Sequence, residues 1–268
     1  MKKWLMMTAV VSSLGFSAAT LADEALKAAI DAPHRAENAK RDDARHPYET
    51  LTFFGIKPTM TVVELSPGGG WYTEILAPYL KDQGKLIAAG YDPQDSIAYF
   101  RDNSAQFNAK LKASPELYGN VEVTIFAPPA KLDYAKPGSA DMVLTFRNVH
   151  NWVRHGDEAM KAIFQSAYDS LKPGGVFGVV EHRLPASMKQ DARASNGYVH
   201  EQYVIDIAKS VGFKLAGKSE INANPSDTAD HEGGVWALPP TLRNKDKDRE
   251  KYQAIGESDR MTLKFVKE

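Results

Sequence analysis

The chain has 268 residues, 43% of them apolar and 25% charged, and a net charge of −1. That size suits one α/β domain with a real core, and the near-neutral charge leaves no electrostatic footprint for nucleic acid. There is no cysteine, which excludes disulfides, thiolate metal sites and a cysteine nucleophile.

The start has three parts. Lys2 and Lys3 precede an apolar run from Trp4 to Phe16, and small residues follow from Ser17 to Ala22. This is the pattern of a secretory signal peptide, with cleavage expected after Ala22 and Ala19 as the second choice. The apolar run is too short for a spanning helix, so no stable membrane anchor is expected after cleavage. The expected product is a periplasmic or secreted protein of residues 23–268 in a single domain. Removing Lys2 and Lys3 from the 33 basic residues leaves 31 against 34 acidic ones, a net charge of −3.

From Asp23 to Arg45 the chain reads as helix interrupted at Pro33, followed by a turn and a short helix to Phe54. Thr61 to Leu65 is a β-branched strand ending beside an acid, Glu64. The turn Ser66-Pro67-Gly68-Gly69-Gly70 follows, then a helical pattern to Leu80. Glycine in such a turn permits closed dihedrals and lets a ligand approach bare backbone. The helix start offers free N–H groups to a negative group. A dinucleotide-type G-x-G-x-x-G match fails because Thr73 holds its last position, and a phosphate loop fails for want of a lysine.

Further strands are expected at Gly84–Gly90, Val121–Phe126, Asp141–Phe146 and Val176–Val180. Helices are expected from Pro93 to Leu111, Asp157 to Leu171 and Val199 to Val211. Phe213–Ile221 and Met261–Val266 complete the set as a last pair, expected to run antiparallel. Alternating strands and helices predict a doubly wound, mostly parallel, seven-stranded sheet behind an N-terminal helical segment. Residues 222–259 form a long irregular insertion, which at that length suggests a lid or binding element.

Glu64, Gly68 and Gly70 resemble motif I of the class I S-adenosylmethionine-dependent methyltransferases, with Ser66 in place of its first glycine. Leu171-Lys172-Pro173-Gly174-Gly175 is similar to the turn before that family's fifth strand. The resemblance covers residues 61–266 and extends to a narrower group, exported proteins usually labelled predicted methyltransferases. It implies a Rossmann-like fold and S-adenosyl-L-methionine as cofactor, held at Ser66, Pro67, Gly68, Gly69 and Gly70 with Glu64 nearby. The family's ribose-binding acid would stand after the second strand. Gly90 occupies that position, and Asp92 is the nearest acid. Ala127-Pro128-Pro129 stands where an adenine-side acid is common.

In open α/β sheets ligands bind beyond the carboxyl ends of the strands. Two polar clusters fall there, Arg147-Asn148-Val149-His150-Asn151-Trp152 and Glu181-His182-Arg183. Methyl transfer needs an acceptor relieved of its proton. His182 is the first candidate base, His150 the second, and Glu181 the replacement if strand alternation turns His182 away. Arg147, Asn148 and Arg183 are candidate substrate contacts, the arginines for an anionic group. Trp71, Tyr72 and Trp152 can cover a sulfonium or simply pack. His200, Glu201 and Tyr203 read as a solvated helix start at the pocket edge. Asp227, Asp230, His231 and Glu232 read as a solvated loop, and no metal site is expected. The expected activity is methyl transfer to a small-molecule acceptor. The alternatives are an exported scaffold that kept the fold without the chemistry, and, more weakly, a metal-dependent hydrolase using the strand-end histidines.

If the signal reading holds, protein recovered from a secreting host begins at Asp23. Intact mass spectrometry checks this, and a mass that retains Lys2 and Lys3 would refute it.

Overall fold

A computed structural model describes residues 14–268 and the side chains of residues 21–268. The charged start and the first part of the apolar run, read above as a signal, lie outside the described residues. The expected cleavage point after Ala22 falls inside the first described helix, α1 (Leu14–Ile30). No described helix is long and apolar enough to cross a membrane.

After α1 come the short helices α2 (Ala36–Ala39), α3 (Asp42–Arg45) and α4 (Pro47–Phe54). The alternating part follows as β1 (Thr61–Leu65), α5 (Thr73–Leu80), β2 (Lys85–Gly90), α6 (Ala98–Ala113), α7 (Pro115–Tyr118), β3 (Glu122–Ile125), β4 (Ala140–Phe146), α8 (Val149–Val153), α9 (Asp157–Ser170) and β5 (Leu171–Leu184). The chain ends with β6 (Val199–His200), α10 (Glu201–Ser210), β7 (Phe213–Ser219), α11 (Arg249–Ile255) and β8 (Arg260–Lys267).

The main sheet runs in the order β3-β2-β1-β4-β5-β8-β7, with the two-residue β6 beside the end of β5. β1 to β5 pair in parallel, and β8 is antiparallel to both β5 and β7. The mostly parallel, doubly wound sheet is as the sequence predicts. One difference is the length of β5. Its pairing with β4 shifts register between Ala140 and Met142 and then continues to Val180, while β8 supports it as far as His182. Glu181, His182 and Arg183 therefore sit on the strand itself. A second difference is α6, which begins at Ala98 because Pro93 to Ile97 form turns.

Alternation along the strands feeds two cores. Val63, Leu65, Val143, Phe177 and Val179 face α9 and α10. Val62, Leu86, Met142, Leu144 and Val180 face α1, α4 and α5. Gly178 on β5 lies on the second side. A Cβ there would come within 2.6 Å of Leu144 Cδ2 and 3.0 Å of the Phe54 ring. The missing side chain lets α4 lie flat on the sheet, which in turn sets the preceding N-terminal helices against the strand ends.

Gly178→Ala should therefore overpack this contact and cost about 1–3 kcal/mol. Urea unfolding checks the value, and an unchanged midpoint would mean that α4 does not need the gap.

Candidate active site

The chain turns sharply where it leaves β1 and again where it leaves β4. Ser66 and Arg147 both have left-handed backbone, with φ of 50° and 60°, a conformation uncommon for residues other than glycine. Each turn is tied to the next strand: Ser66 N–H donates to Ala89 O (2.8 Å) and Arg147 N–H to Val180 O (2.7 Å). Asn148 joins the two turns, its Nδ2 donating to Leu65 O at 3.1 Å and Ser66 O at 3.3 Å. Asn148 thus fixes the mouth of the sheet as well as lining it.

Above these turns lies a cavity of about 440 Å³ bordered by Ser66, Pro67, Gly68, Gly69, Arg147, His150 and His182. The N-terminal segment closes one side with Arg41 and Arg45. The 222–259 insertion closes another with Trp236, Pro239 and Pro240, and Glu257 and Ser258 complete the rim. A second cavity of about 540 Å³ adjoins it through Ser66, Tyr91, Asn148 and Trp236. Its walls include Phe100, Pro128, Trp152 and Asp95. A Cβ added to Gly68 or Gly69 would meet nothing within 4 Å. The turn therefore presents bare backbone to open space, the feature a close-lying ligand requires.

Glu64 does not reach either cavity. It is buried, and its Oε2 accepts a hydrogen bond from Thr73 Oγ1 at 2.6 Å. Thr73 opens α5, so Glu64 pins the helix start beneath the glycine turn. Burial pushes its carboxyl up to about 7, against the pull of Thr73 and more distant cations. Asp92 is also away from the cavities. It is buried, its Oδ2 pairs with Lys131 Nζ, and its Oδ1 accepts from Gln94 N–H. Those partners hold its carboxyl below the usual range, the Lys131 bond foremost. The nearby acid that does border a cavity is Asp95, which no motif in the sequence marks. Asp92 lost the role because Pro93 turns the chain and Lys131 claims its carboxylate.

His150, Glu181 and His182 come together. Glu181 is fully buried. Its Oε1 accepts from His150 Nδ1 at 2.9 Å and from His182 N–H at 2.7 Å, and its Oε2 accepts from His150 N–H at 3.1 Å. The carboxylate therefore fixes His150 with Nδ1–H inward and Nε2 unengaged. His182 instead lies with Nδ1 2.6 Å from Ser258 Oγ. Burial lowers the His182 pKa well below its ordinary value, with His150 and Arg147 adding to the effect. Alternation does turn His182 toward the cavity. It does not exclude Glu181, which reaches the site from behind His150. The orienting carboxylate serves the His150 ring and meets His182 only at its backbone N–H.

Arg183 takes no part. It is bound to Asp259 (2.9 Å) and Glu220 (2.6 Å), and those bonds raise its pKa further. Arg147 lines the cavity, and its side chain has no hydrogen-bond partner among the described residues. Trp71 packs under the Arg45 guanidinium, 4.6 Å from the ring centre, so a cation already covers that ring. Tyr72 stacks on Phe146. The Asp227 cluster is solvated only in part: Asp230 and Glu232 are exposed, but Asp227 and His231 are buried. Asp227 is buried and accepts from Tyr198 O–H at 3.1 Å, with His231 Nε2 at 2.8 Å. It clamps the insertion to the body of the protein.

The reactive atoms of His150, Glu181 and His182 lie within 4.8 Å of one another, and all three are metal-ligating types. Both Glu181 oxygens are engaged by N–H donors, however, and the charges acting on His182 besides His150 are Arg147, Arg260 and Arg45. That field favours an anion over a metal cation.

No protein-family model matches the chain, and no curated protein matches it in sequence. Solved structures do match. A SAM-dependent methyltransferase from Aquifex aeolicus shares 16% identity over 75% of this chain and 93% of its own, with a TM-score of 0.53. Geranyl diphosphate C-methyltransferase from Streptomyces coelicolor A3(2) shares 12% over 90% and 84%, with a TM-score of 0.56. The chain has the fold of SAM-dependent methyltransferases. A possible exported protein from Bordetella parapertussis is also similar, at 14% identity over 85% and 68%, with a TM-score of 0.53.

The buried Glu64 gives a pH test. Its folded pKa of about 7 exceeds the ordinary value of 4.5, so the folded state holds the proton longer than the unfolded state. Stability from this group is then present below about 4.5 and falls as pH rises to about 7, by about 3 kcal/mol. Glu64→Gln should lose this fall, which denaturant midpoints at pH 5 and pH 8 will measure. Equal pH slopes in parent and variant would refute the assignment.

Proposed function

We propose that the protein transfers a methyl group from S-adenosylmethionine to a small-molecule acceptor in the 440 Å³ cavity. The observation that carries this is the pairing of an open glycine turn with an oriented histidine in one cavity, under strands of this fold. The residues present fit the cofactor. Gly68 and Gly69 leave room for its amino-acid end, and Asp95 is placed to accept from ribose hydroxyls. Tyr91, Phe100, Pro128 and Trp152 offer flat apolar walls to a base.

When bound, the cofactor supplies an electrophilic methyl on a sulfonium. The protein's task is to position the acceptor and remove its proton. His150 Nε2 takes that proton. Glu181 holds the ring in the tautomer that leaves Nε2 free and stabilises the imidazolium that forms. His182 stays neutral beside it because burial and the arginines disfavour its charge. Trp236, Pro239 and Pro240 shield the cavity from water on the insertion side. We also propose export, on the pattern of residues 1–22.

A binding protein without catalysis is the second reading. The engagement of Asp92 by Lys131 favours it, since the expected ribose contact is gone.

Calorimetry with S-adenosylhomocysteine decides whether the cofactor site exists. Binding is expected in the parent and not in Gly68→Val, where a branched side chain at φ 58° is strained and fills the cradle. A folded Gly68→Val that binds as the parent does would place the site elsewhere. No heat at about 1 mM ligand, equivalent to a binding energy weaker than about −4 kcal/mol, would sink the methyl-transfer reading.

A further inference from the structure

The cavity wall carries an unbalanced charge. Arg41, Arg45 and Arg147 line it, and Arg260 is buried directly behind. The lining holds one carboxylate among the described residues, Glu257. That carboxylate is divided three ways. Arg41 Nε donates to its Oε1 at 2.6 Å, while Arg45 Nε at 3.3 Å and Arg260 Nη1 at 3.1 Å donate to its Oε2. Arg147 makes no hydrogen bond to it and feels its charge only at a distance.

We propose that the methyl acceptor is an anion, a small molecule bearing a carboxylate or a phosphate group, and that Arg147 binds that group. Three observations meet here. Arg147 is placed in the cavity by a left-handed backbone, a conformation that persists only where its surroundings enforce it. Its five N–H donors suit a carboxylate or phosphate fork, and no protein group uses them among the described residues. Burial and the neighbouring guanidiniums disfavour the charge of Arg147 and of Arg45 alike. Guanidinium does not give up its proton in proteins, so the crowding is relieved by an incoming anion. His150 stands at the same cavity, so an acceptor held by its acidic end at Arg147 presents its nucleophilic group to the base. The sulfonium of the cofactor is a cation, and the acceptor's own charge offsets the positive wall it would otherwise face.

This deepens the methyl-transfer reading, yet the anion site is testable without the cofactor. Inorganic phosphate and benzoate are titrated separately into the parent, Arg147→Gln and Arg147→Lys, with S-adenosylhomocysteine titrated in parallel. One of the two anions should bind the parent and weaken at least about tenfold in Arg147→Gln. Arg147→Lys should fall between, since it keeps the charge and loses the fork. Preference for phosphate or benzoate identifies which acidic group the acceptor bears. S-adenosylhomocysteine should bind parent and variants alike. If Arg147→Gln does not fold, Arg147→Lys against the parent carries the comparison. The proposal is overturned if neither anion binds the parent, or if both variants bind as the parent does. It is equally overturned if the variants lose S-adenosylhomocysteine and the anion competes with it, which would assign Arg147 to the cofactor's carboxylate. Anion binding with no S-adenosylhomocysteine binding would uphold the anion site and remove the methyl-transfer reading.

Discussion

The chain leaves β1 toward β2 and β3 on one side and returns to β4 on the other. Two connections therefore diverge above one pair of strands, and a crevice opens where they part. The two turns that floor the cavity are placed by that divergence. The glycine turn is the first step of one connection, and Arg147 to His150 are the first step of the other. Both turns bend at once into left-handed backbone, and Asn148 bridges them. Without this reversal of strand order, Ser66 and Arg147 would face separate helices and share no cavity.

Charge is the second constraint. The wall of a cavity at the strand ends cannot hold four clustered guanidiniums cheaply, since a desolvated cation needs a partner. Glu257 supplies one partner, and the rings of Trp71 and the carbonyl of Ala44 supply weaker ones. Arg41 and Arg45 come from the N-terminal helices, Arg147 from the end of β4, and Glu257 and Arg260 from the far end of the sequence. Three distant parts of the chain thus converge on one small volume with like charge. The bonds to Glu257 and to Ala44 O tie the N-terminal segment to the body, and Arg147 is the guanidinium left outside them. The sign of that unshared charge is the ground for the proposed anionic acceptor.

Most of the fold was legible because it rests on local rules. β-Branched runs, glycine turns and helical spacing placed every main strand and most helices within a few residues. Helix α6 was misplaced at its start because Pro93 looks like a helix opener, while Asp95 and Asp92 instead cap turns through Ile97 and Gln94 N–H. The site was legible only in part. Strand-end logic found His150, Glu181, His182 and Arg147. It also nominated Arg183 and Asp92, whose carboxylate and ammonium partners lie 76 and 39 residues away. No local pattern reveals such pairings. Arg41, Arg45 and Glu257 were missed for the same reason. Each lies in a helical or irregular stretch with no motif, and its meaning comes from a contact across more than two hundred residues.

The two histidines show how a small difference in neighbours separates residues of one kind. Both border the cavity, and their rings lie 5.3 Å apart. Glu181 can serve only one of them through a side chain, because its three acceptor contacts go to the His150 ring, the His150 backbone and the His182 backbone. His150 thereby gains a fixed tautomer and a counter-charge for the protonated state. His182 gains neither; its partner is a neutral hydroxyl, and cations press on it. One histidine thus has an oriented ring and an unengaged Nε2, the features on which the proposed base role rests. The other is built to stay neutral, and at this distance it keeps the first from facing a second imidazolium.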